Sequence, residues 1–410
     1  MKNPLPADFN KLWASQSISS FGSQISSVAL PLTAVLVLEA TPREMGWLGA
    51  FQYLPMAIFG LVAGVWADRM RRRPILIVSD FARAALLLSI PIAAYFNLLT
   101  LAQLCVVSFA AGSFKVVAAV ADRAYLTSIL SRDQLMAGNS KIWFSFSLAQ
   151  TLGPGLAGWL VKALTAPIAI VVDAASFLVA GLALLTIGKE EQKPTHIDGE
   201  SMGKGVRFGL SYVWNHALLK PLVLCAGMHN ICSTMIVTVY FLYLSRQLEI
   251  DPGLLGGILV TGGVGSVCGS ILARRLTNRL GSGSTLIALQ VLTGVARLLI
   301  PLAAGSIGAV IATLALSEFL LGLARSMFNI TQISLRQSII PDDAQGRVNA
   351  SIGFVLWGFT PIGALAAGFS AEAFGIRETL AAAALGVLLS TGWMLISPLR
   401  GYHMEASTTT

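Results

Sequence analysis

The polar stretch that decides the fold reads Gly64-Val65-Trp66-Ala67-Asp68-Arg69-Met70-Arg71-Arg72-Arg73-Pro74, and it lies between two long apolar segments. One acid is followed by four arginines, and a proline then opens the next apolar run. Such a charge cluster does not cross the hydrocarbon core of a bilayer, and arginines collect in cytoplasmic loops. The stretch therefore predicts a cytoplasmic loop between two membrane spans.

The composition of the whole chain supports a membrane protein. Of 410 residues, 55% are hydrophobic and only 12% are charged, whereas about a quarter of the residues of a soluble domain are charged. The net charge of +8 comes from residues in short loops between apolar runs. There it sets topology and attracts anionic lipid headgroups, so nucleic-acid binding is not expected. The four cysteines lie inside apolar runs without metal-ligand spacing.

Apolar runs of the length that crosses a bilayer occur twelve times along the chain. They cover 12–38, 46–67, 75–96, 101–124, 137–162, 167–188, 218–244, 253–273, 284–304, 308–332, 348–371 and 379–398. If the N-terminus is cytoplasmic, most lysines and arginines fall in cytoplasmic loops. The sequence therefore predicts a multi-pass protein of the cell membrane with both termini in the cytoplasm.

The chain divides into two similar halves. Adding 210 to a residue number carries Gly153 to Gly363 and Gly158 to Gly368, which indicates an internal repeat. We expect an N-terminal six-helix half at 1–188, a cytoplasmic linker at 189–216 and a C-terminal six-helix half at 217–410. Residues 206–214 of the linker predict an amphipathic helix on the membrane surface, more typical of a tether than of a regulator.

The loop quoted first resembles the signature loop of the major facilitator superfamily of secondary transporters, matched by Gly64, Asp68, Arg69, Arg72 and Arg73. The resemblance implies an all-α membrane protein with twelve transmembrane helices in two six-helix halves, a substrate site between them, and alternating access. It also implies that Asp68 closes the cytoplasmic side by pairing with the start of span eleven, near Arg347. A static ion pair is the alternative reading of Asp68.

Span five contains Gly153-Pro154-Gly155-Leu156-Ala157-Gly158. It resembles a signature of drug:proton antiporters, although Ala157 replaces a glycine of that signature. Proline kinks a helix, and small residues let neighbouring helices approach closely. Gly153, Pro154 and Gly158 are thus expected to seal the interface between the halves. Ordinary helix packing is the alternative.

Charged residues inside spans are costly and are therefore candidates for function. Glu318 in span ten is the first candidate for carrying a coupled proton, with Arg297 and Arg325 as neutralising partners. A purely structural ion pair is the alternative, and Asp122 and then Glu39 are the next candidates. Lys115 in span four either faces a substrate cavity or extends towards Asp122, and the sequence favours the second arrangement. Asp80 and Arg83 are expected near the cytoplasmic face, and Asp173 is expected near the outer face. These three residues are expected to have structural roles.

The sequence contains no P-loop, no HExxH motif and no histidine pair at ligand spacing. We therefore do not expect an enzyme, a cofactor or a metal ion. We expect transport that is driven by an ion gradient or by the gradient of the substrate. Together the motifs look most like the third drug:proton antiporter family, which includes macrolide and siderophore exporters. The prediction is a monomeric, proton-coupled exporter of amphipathic small molecules. The alternatives are a solute importer or lysophospholipid flippase on the same fold, and a non-transporting membrane scaffold or sensor.

Overall fold

A computed structural model describes residues 5–60, 70–188 and 202–401 of the chain. Within these ranges the regular secondary structure is entirely helical. The helices preceding residue 189 are α1 (Ala7–Leu36), α2 (Pro42–Phe59), α3 (Arg72–Tyr95), α4 (Leu101–Ile129), α5 (Leu135–Leu164) and α6 (Ala166–Leu185). A shorter helix, α7 (Met202–Asn215), follows.

The remaining helices are α8 (Leu219–Leu242), α9 (Pro252–Leu280), α10 (Ser282–Leu302), α11 (Ile307–Ile339), α12 (Asp342–Gly358), α13 (Thr360–Phe374), α14 (Ile376–Leu389) and α15 (Gly392–Leu395). A π-helical turn at Tyr243–Gln247 extends α8, and a 3-10 turn at Pro398–Gly401 follows α15. The helix breaks at Phe359, because Pro361 occupies the first turn of α13 and cannot continue α12. By contrast, α5 runs without a break through Pro154.

Nine helical segments in the described part of the chain are long and apolar enough to cross a membrane. The twelve predicted spans are thus not reproduced exactly. α1 and α5 each have 30 residues, but serine, glutamine and other polar residues lower their hydropathy. α2 is described only as far as Phe59, and the residues that would extend it lie outside the described ranges.

The internal repeat is visible in the backbone. Glu39 and Glu249, which are 210 positions apart, both have a φ of 50° in the turn before a helix that starts at a proline. A second equivalent pair links α5 to α6 and α13 to α14: Thr165 has a φ of 119° and Gly375 a φ of 103°. The second position suits glycine, which has no Cβ to clash in this region. The repeat therefore extends to turns that the sequence comparison did not include.

Helix packing repeats in the same way inside each half. α5 contacts α1 where a Cβ on Gly153 would collide with the side chain of Gln24. At the equivalent position, a Cβ on Gly363 would lie 2.6 Å from the carbonyl oxygen of Ile231, so α13 contacts α8. Both contacts depend on the small size of glycine.

The chain forms two compact units. One comprises Met1–Asp198 with Leu244–Gly257, and the other comprises Gly199–Tyr243 with Ile258–Thr410. Helix α9 therefore begins in the first unit and continues in the second. In the first unit, Phe9, Leu12, Tyr125 and Leu184 belong to one buried apolar cluster. The boundaries of 1–188, 189–216 and 217–410 remain a prediction.

Helix α7 packs against α12 inside the second unit. A Cβ on Gly209 would lie 2.6 Å from the carbonyl oxygen of Arg347, and the Ser351 hydroxyl donates a hydrogen bond of 3.2 Å to the carbonyl oxygen of Val206. The guanidinium of Arg347 lies 4.3 Å from the ring centroid of Phe208. These contacts tie α7 to α12.

Candidate functional site

The arginine-rich loop is described only in part. Gly64, Asp68 and Arg69 lie outside the described residues. The side chain of Arg73 donates hydrogen bonds of 3.0 Å and 2.9 Å to the carbonyl oxygens of Leu184 and Leu185. Since the last carbonyls of a helix lack partners within it, Arg73 caps α6 and fixes the start of α3 beside it. Arg72 is partly buried in the first turn of α3.

The predicted partner of Asp68 lies in the first turns of α12. Arg347 stacks on Phe208, as described above, and its carbonyl oxygen accepts a hydrogen bond of 2.9 Å from the Ser351 hydroxyl. The pairing between Asp68 and Arg347 remains a prediction.

The glycines of α5 contact two different segments. Gly153 packs on α1, whereas a Cβ on Gly158 would lie 2.5 Å from the carbonyl oxygen of Pro252 and 2.6 Å from the Cα of Gly256. Close to this contact, Nζ of Lys162 forms an ion pair of 3.1 Å with Oδ1 of Asp251. Small residues therefore bring the backbones of α5 and the first turns of α9 together, inside the first unit.

In the second unit, Glu318 lies among polar side chains from several helices. Among charged groups, Arg297 on α10 acts on it most strongly and Arg325 acts more weakly. The hydroxyl of Tyr240 on α8 lies close to the carboxylate but has no hydrogen-bond partner among the described residues. The carboxylate also lies beside α9, because a Cβ on Gly262 would be 3.5 Å from its Oε2 atom. The structure thus groups Glu318 with Arg297 and places Arg325 farther along the same helix.

Glu318 and Arg297 do not form a close salt bridge. Arg297 donates a hydrogen bond of 3.2 Å from Nη2 to the hydroxyl of Ser233, while its buried Nε has no acceptor. Within the described part of the chain, the ion pairs of 4 Å or less do not include one between Arg297 and Glu318. The Glu318 carboxylate is therefore held by electrostatic attraction rather than by a close salt bridge.

A second polar group lies nearby on α8 and α10. Gln290 is 3% exposed, and its Nε2 atom is 3.0 Å from Nδ1 of His229 and donates a hydrogen bond of 2.8 Å to the Ser390 hydroxyl. The charges of Arg297 and Arg325 act on His229. The sequence alone does not mark His229 and Gln290 as candidates, because they form a polar site only when α8, α10 and α14 are packed together.

In the first unit, Asp122 on α4 accepts a hydrogen bond from the side-chain amide of Gln16 on α1. Its charge acts on Asp80 of α3. The candidate acid Asp122 is thus tied to α1 rather than exposed in a loop. Glu39, the last candidate acid, is exposed in the turn between α1 and α2.

The structure brings Lys115, Arg83 and Asp173 together. Lys115 forms no ion pair with Asp122 among the described residues; the charges that act on it are those of Arg83 and then Asp173. Asp173 is 1% exposed, and Arg83 is the charge that acts on it most strongly. Side chains that the sequence placed near opposite faces of the membrane are therefore one group, because α3, α4 and α6 pack side by side around α1.

The described residues contain no group of three or more histidine, cysteine or acidic side chains arranged to hold a metal ion. The polar groups described above combine charges and hydrogen-bonding side chains in membrane-spanning helices. Such groups mark ion or substrate pathways in membrane proteins.

Comparisons with known proteins place this arrangement in a family. A family model described as "Transmembrane secretion effector" matches residues 3–410. The multidrug efflux pump Tap of Mycolicibacterium fortuitum is 24% identical over 383 residues, covering 90% of each chain. The transporter YfiS of Bacillus subtilis, described as an uncharacterized MFS-type transporter, is 26% identical over 395 residues, covering 92% of this chain and 89% of YfiS.

Solved structures share the fold. A bacterial homologue of the iron transporter ferroportin superposes with a TM-score of 0.78 at 15% identity, covering 98% of this chain and all of the other. This likeness confirms the predicted all-α membrane fold, and the family model confirms the resemblance to the major facilitator superfamily. The superfamily consists of membrane transporters of small molecules, which also confirms that the chain is not an enzyme. The match over residues 3–410 means that this multi-pass chain belongs to the transmembrane secretion effector family of the major facilitator superfamily.

Proposed function

We propose that the protein exports amphipathic, drug-like small molecules across the cell membrane in exchange for protons, by alternating access. The family membership and the similarity to multidrug efflux pumps support the export of such molecules. The observation that carries the proton-coupled mechanism is the group formed by Glu318, Arg297 and Tyr240 in the second unit.

Glu318 suits proton exchange because its carboxylate is not locked into a close salt bridge. An ionised carboxylate within a membrane span needs a compensating charge, and Arg297 supplies most of it. Uptake of a proton removes the negative charge, so Arg297 loses its attraction to the carboxylate while it keeps its hydrogen bond to Ser233. Protonation of Glu318 thus changes the charge distribution among α8, α10 and α11.

A change in charge drives transport only if it favours one conformation over another. In the proposed cycle, a proton from outside binds to Glu318 and neutralises it. Substrate binds from the cytoplasm after Glu318 has released this proton inside. Proton binding and substrate binding are thus mutually exclusive. The proton gradient then supplies the free energy for export. The Asp68 loop and Arg347 are proposed to close the cytoplasmic side during this cycle.

The proposal includes the location and form of the protein. We place both termini in the cytoplasm because basic residues are concentrated on that side of the predicted spans. A reporter fused after Arg400 is then cytoplasmic, and a reporter inserted near Thr41 is external. The transporter acts as a monomer, with its substrate, protons and lipid as partners.

The function is tested by drug accumulation in cells that lack or overproduce the protein. With a panel that includes a macrolide, a tetracycline and ethidium, overproduction is expected to lower the accumulation of at least one compound. A protonophore is expected to restore that accumulation. Higher accumulation on overproduction would instead indicate an importer. If accumulation of every compound in the panel is unchanged but the protein moves lysophospholipid across the membrane of proteoliposomes, it is a flippase. If it moves neither the panel compounds nor lysophospholipid, a scaffold or sensor is favoured.

A further inference from the structure

Lys115 occupies an unusual position on α4. It lies near the middle of Leu101–Ile129 and is exposed. Ser108 and Leu126 lie within about 20° of the same helix face, from the angle between successive residues of an α-helix, and each is only 6% exposed. If this face were turned to lipid, its ends would be exposed as well. The exposure of Lys115 therefore indicates a recess in the first unit between packed ends of the helix.

Two cations, Lys115 and Arg83, and the acids Asp173 and Asp80 are grouped around this recess. Among charged groups, the cation Arg83 acts on Lys115 more strongly than the opposing charge of Asp173 does. Among the described residues, Lys115 has neither a hydrogen-bond partner nor an ion pair. A lysine in this setting has three donors available for a ligand.

Arg83 is held by an aromatic ring and a hydroxyl, and the charges of Asp173 and Asp80 act on it without a close ion pair in the described part of the chain. Its guanidinium carbon lies 3.7 Å from the ring centroid of Phe177, and Nη2 donates a long hydrogen bond of 3.4 Å to the hydroxyl of Ser23. The buried Nε atom has no acceptor, and among the described residues no carboxylate lies within 4 Å of the guanidinium. An aromatic ring attracts a cation but does not remove its charge.

Asp173 is buried beside α1. It is 1% exposed, accepts a hydrogen bond of 3.3 Å from the Ser176 hydroxyl and packs where a Cβ on Gly22 would lie 2.5 Å from its Oδ1 atom. The buried carboxylate thus compensates part of the positive charge, whereas the exposed Lys115 is accessible to a ligand.

We propose that Lys115, supported by the charge of Arg83, binds an acidic group of the transported molecule, so that the cargo includes amphipathic carboxylates or related acids. In this site Lys115 contacts the ligand, while Arg83 and Asp173 are positioning residues that set the local charge. The inference rests on the proposed function in one respect: it assumes that the ligand of this recess is cargo. A charge-assisted hydrogen bond to an ammonium is strong and selects the ionised acid over its neutral ester.

The test is a binding assay that needs no transport. The purified protein is placed in nanodiscs of phosphatidylcholine, and fluorescence reports the binding of 11-(dansylamino)undecanoic acid and of its methyl ester. The two probes differ only in the acidic group. We expect the acid to bind wild type at least about tenfold more tightly than the ester, which corresponds to one charge-assisted hydrogen bond. Equal binding of the two probes, or binding of neither, would overturn the proposal.

Three variants locate the effect. Lys115→Gln should remove the preference for the acid and leave ester binding unchanged, whereas Lys115→Arg should retain most of the preference. Lys220→Gln is the matched control, because Lys220 belongs to the other unit and its Nζ lies 4.7 Å from the ring centroid of Trp214. Full acid preference in Lys115→Gln would contradict the site. If Lys115→Gln fails to fold, the wild-type ratio and the ratio in Lys115→Arg still decide the outcome.

A second arm identifies the source of the acidic group. Nanodiscs that contain phosphatidylglycerol should leave binding of the acid probe unchanged if the recess takes a substrate. Competition by this lipid would assign the recess to a headgroup and contradict the cargo assignment. Because the assay uses no gradient, acid selectivity without drug export would overturn the proposed function and leave the binding site intact.

Discussion

Nζ of Lys162 at the end of α5 lies 3.1 Å from Oδ1 of Asp251, the residue before α9. Both side chains are about half exposed, at 58% and 42%. Oδ1 also accepts a hydrogen bond of 2.9 Å from the Gly253 amide. Desolvation alone would raise the pKa of Asp251, but the hydrogen bonds from Lys162 and Gly253 together outweigh it and lower this pKa below its ordinary value.

The first prediction concerns this ion pair and pH. A carboxylate with a lowered pKa is ionised at every pH above its ordinary pKa. Its stabilising interaction is lost only as the pH falls through the lowered pKa. Since an exposed pair contributes about 0.2–1 kcal/mol, Asp251→Asn is expected to change the initial transport rate by less than about fivefold. The ratio of variant to wild-type rate should be constant between external pH 5 and 8, as measured in proteoliposomes.

Exchanging the two charges provides the control. The single substitution Asp251→Lys places two cations together and should reduce transport more than Asp251→Asn does. The double variant Lys162→Asp with Asp251→Lys should recover most of the loss. A variant-to-wild-type ratio that changes steeply between pH 5 and 8 would mean that Asp251 titrates in that range and would contradict the prediction.

The second prediction compares two adjacent glycines of α9. A Cβ on Gly256 would lie 2.8 Å from the carbonyl oxygen of Gly155 and 3.1 Å from the Cα of Gly158, whereas a Cβ on Gly257 would meet nothing within 4 Å. Gly256→Leu should force α5 and α9 apart and lower the melting temperature and the transport rate, at a cost of about 1–3 kcal/mol typical of overpacking. Gly257→Leu should resemble wild type. Equal behaviour of the two variants would show that this contact is unimportant.

The third prediction is that Glu318→Gln uncouples transport. Glutamine imitates the protonated acid, so the variant should still bind substrate and exchange it across the membrane. It should not pump against a gradient, and its residual activity should be independent of pH. Counterflow and uphill transport measured in the same proteoliposomes separate these steps, and Glu249→Gln, at an exposed glutamate, serves as the control. Uphill pumping by Glu318→Gln with wild-type pH dependence would move the search to Asp122 and then to Glu39.

The fourth prediction concerns the arginine-rich loop. If Asp68 closes the cytoplasmic side, Asp68→Asn should fold normally, lose most of its transport and make introduced cytoplasmic cysteines more reactive towards a maleimide. Arg347→Gln should have the same effect, because it removes the proposed partner. Arg71→Gln is the matched control, since Arg71 is an exposed arginine of the same loop. Full transport with unchanged cysteine reactivity in Asp68→Asn would leave only a static ion pair.

The sequence by itself determined the membrane class, the all-α fold and the internal repeat. Hydropathy and charge are properties of local segments, and a bilayer forces each apolar segment of sufficient length into a helix that satisfies its own backbone hydrogen bonds. The 210-residue offset that relates Gly153 to Gly363 also relates Glu39 to Glu249 and Thr165 to Gly375, whose φ values agree. Isolated turn residues carry little signal in a sequence, so this part of the repeat becomes visible in the backbone.

Only the tertiary structure decided which charged side chains meet. Along the sequence, the visible neighbour of Lys115 is Asp122, two turns away on the same face, yet the charges that act on Lys115 are Arg83 and Asp173 on other helices. Partners across helices depend on the rotation and depth of each helix, and these are set by small residues at contacts, such as Gly22 beside Asp173. A single sequence does not specify that rotation, because an apolar membrane helix shows no strong polar face to the bilayer.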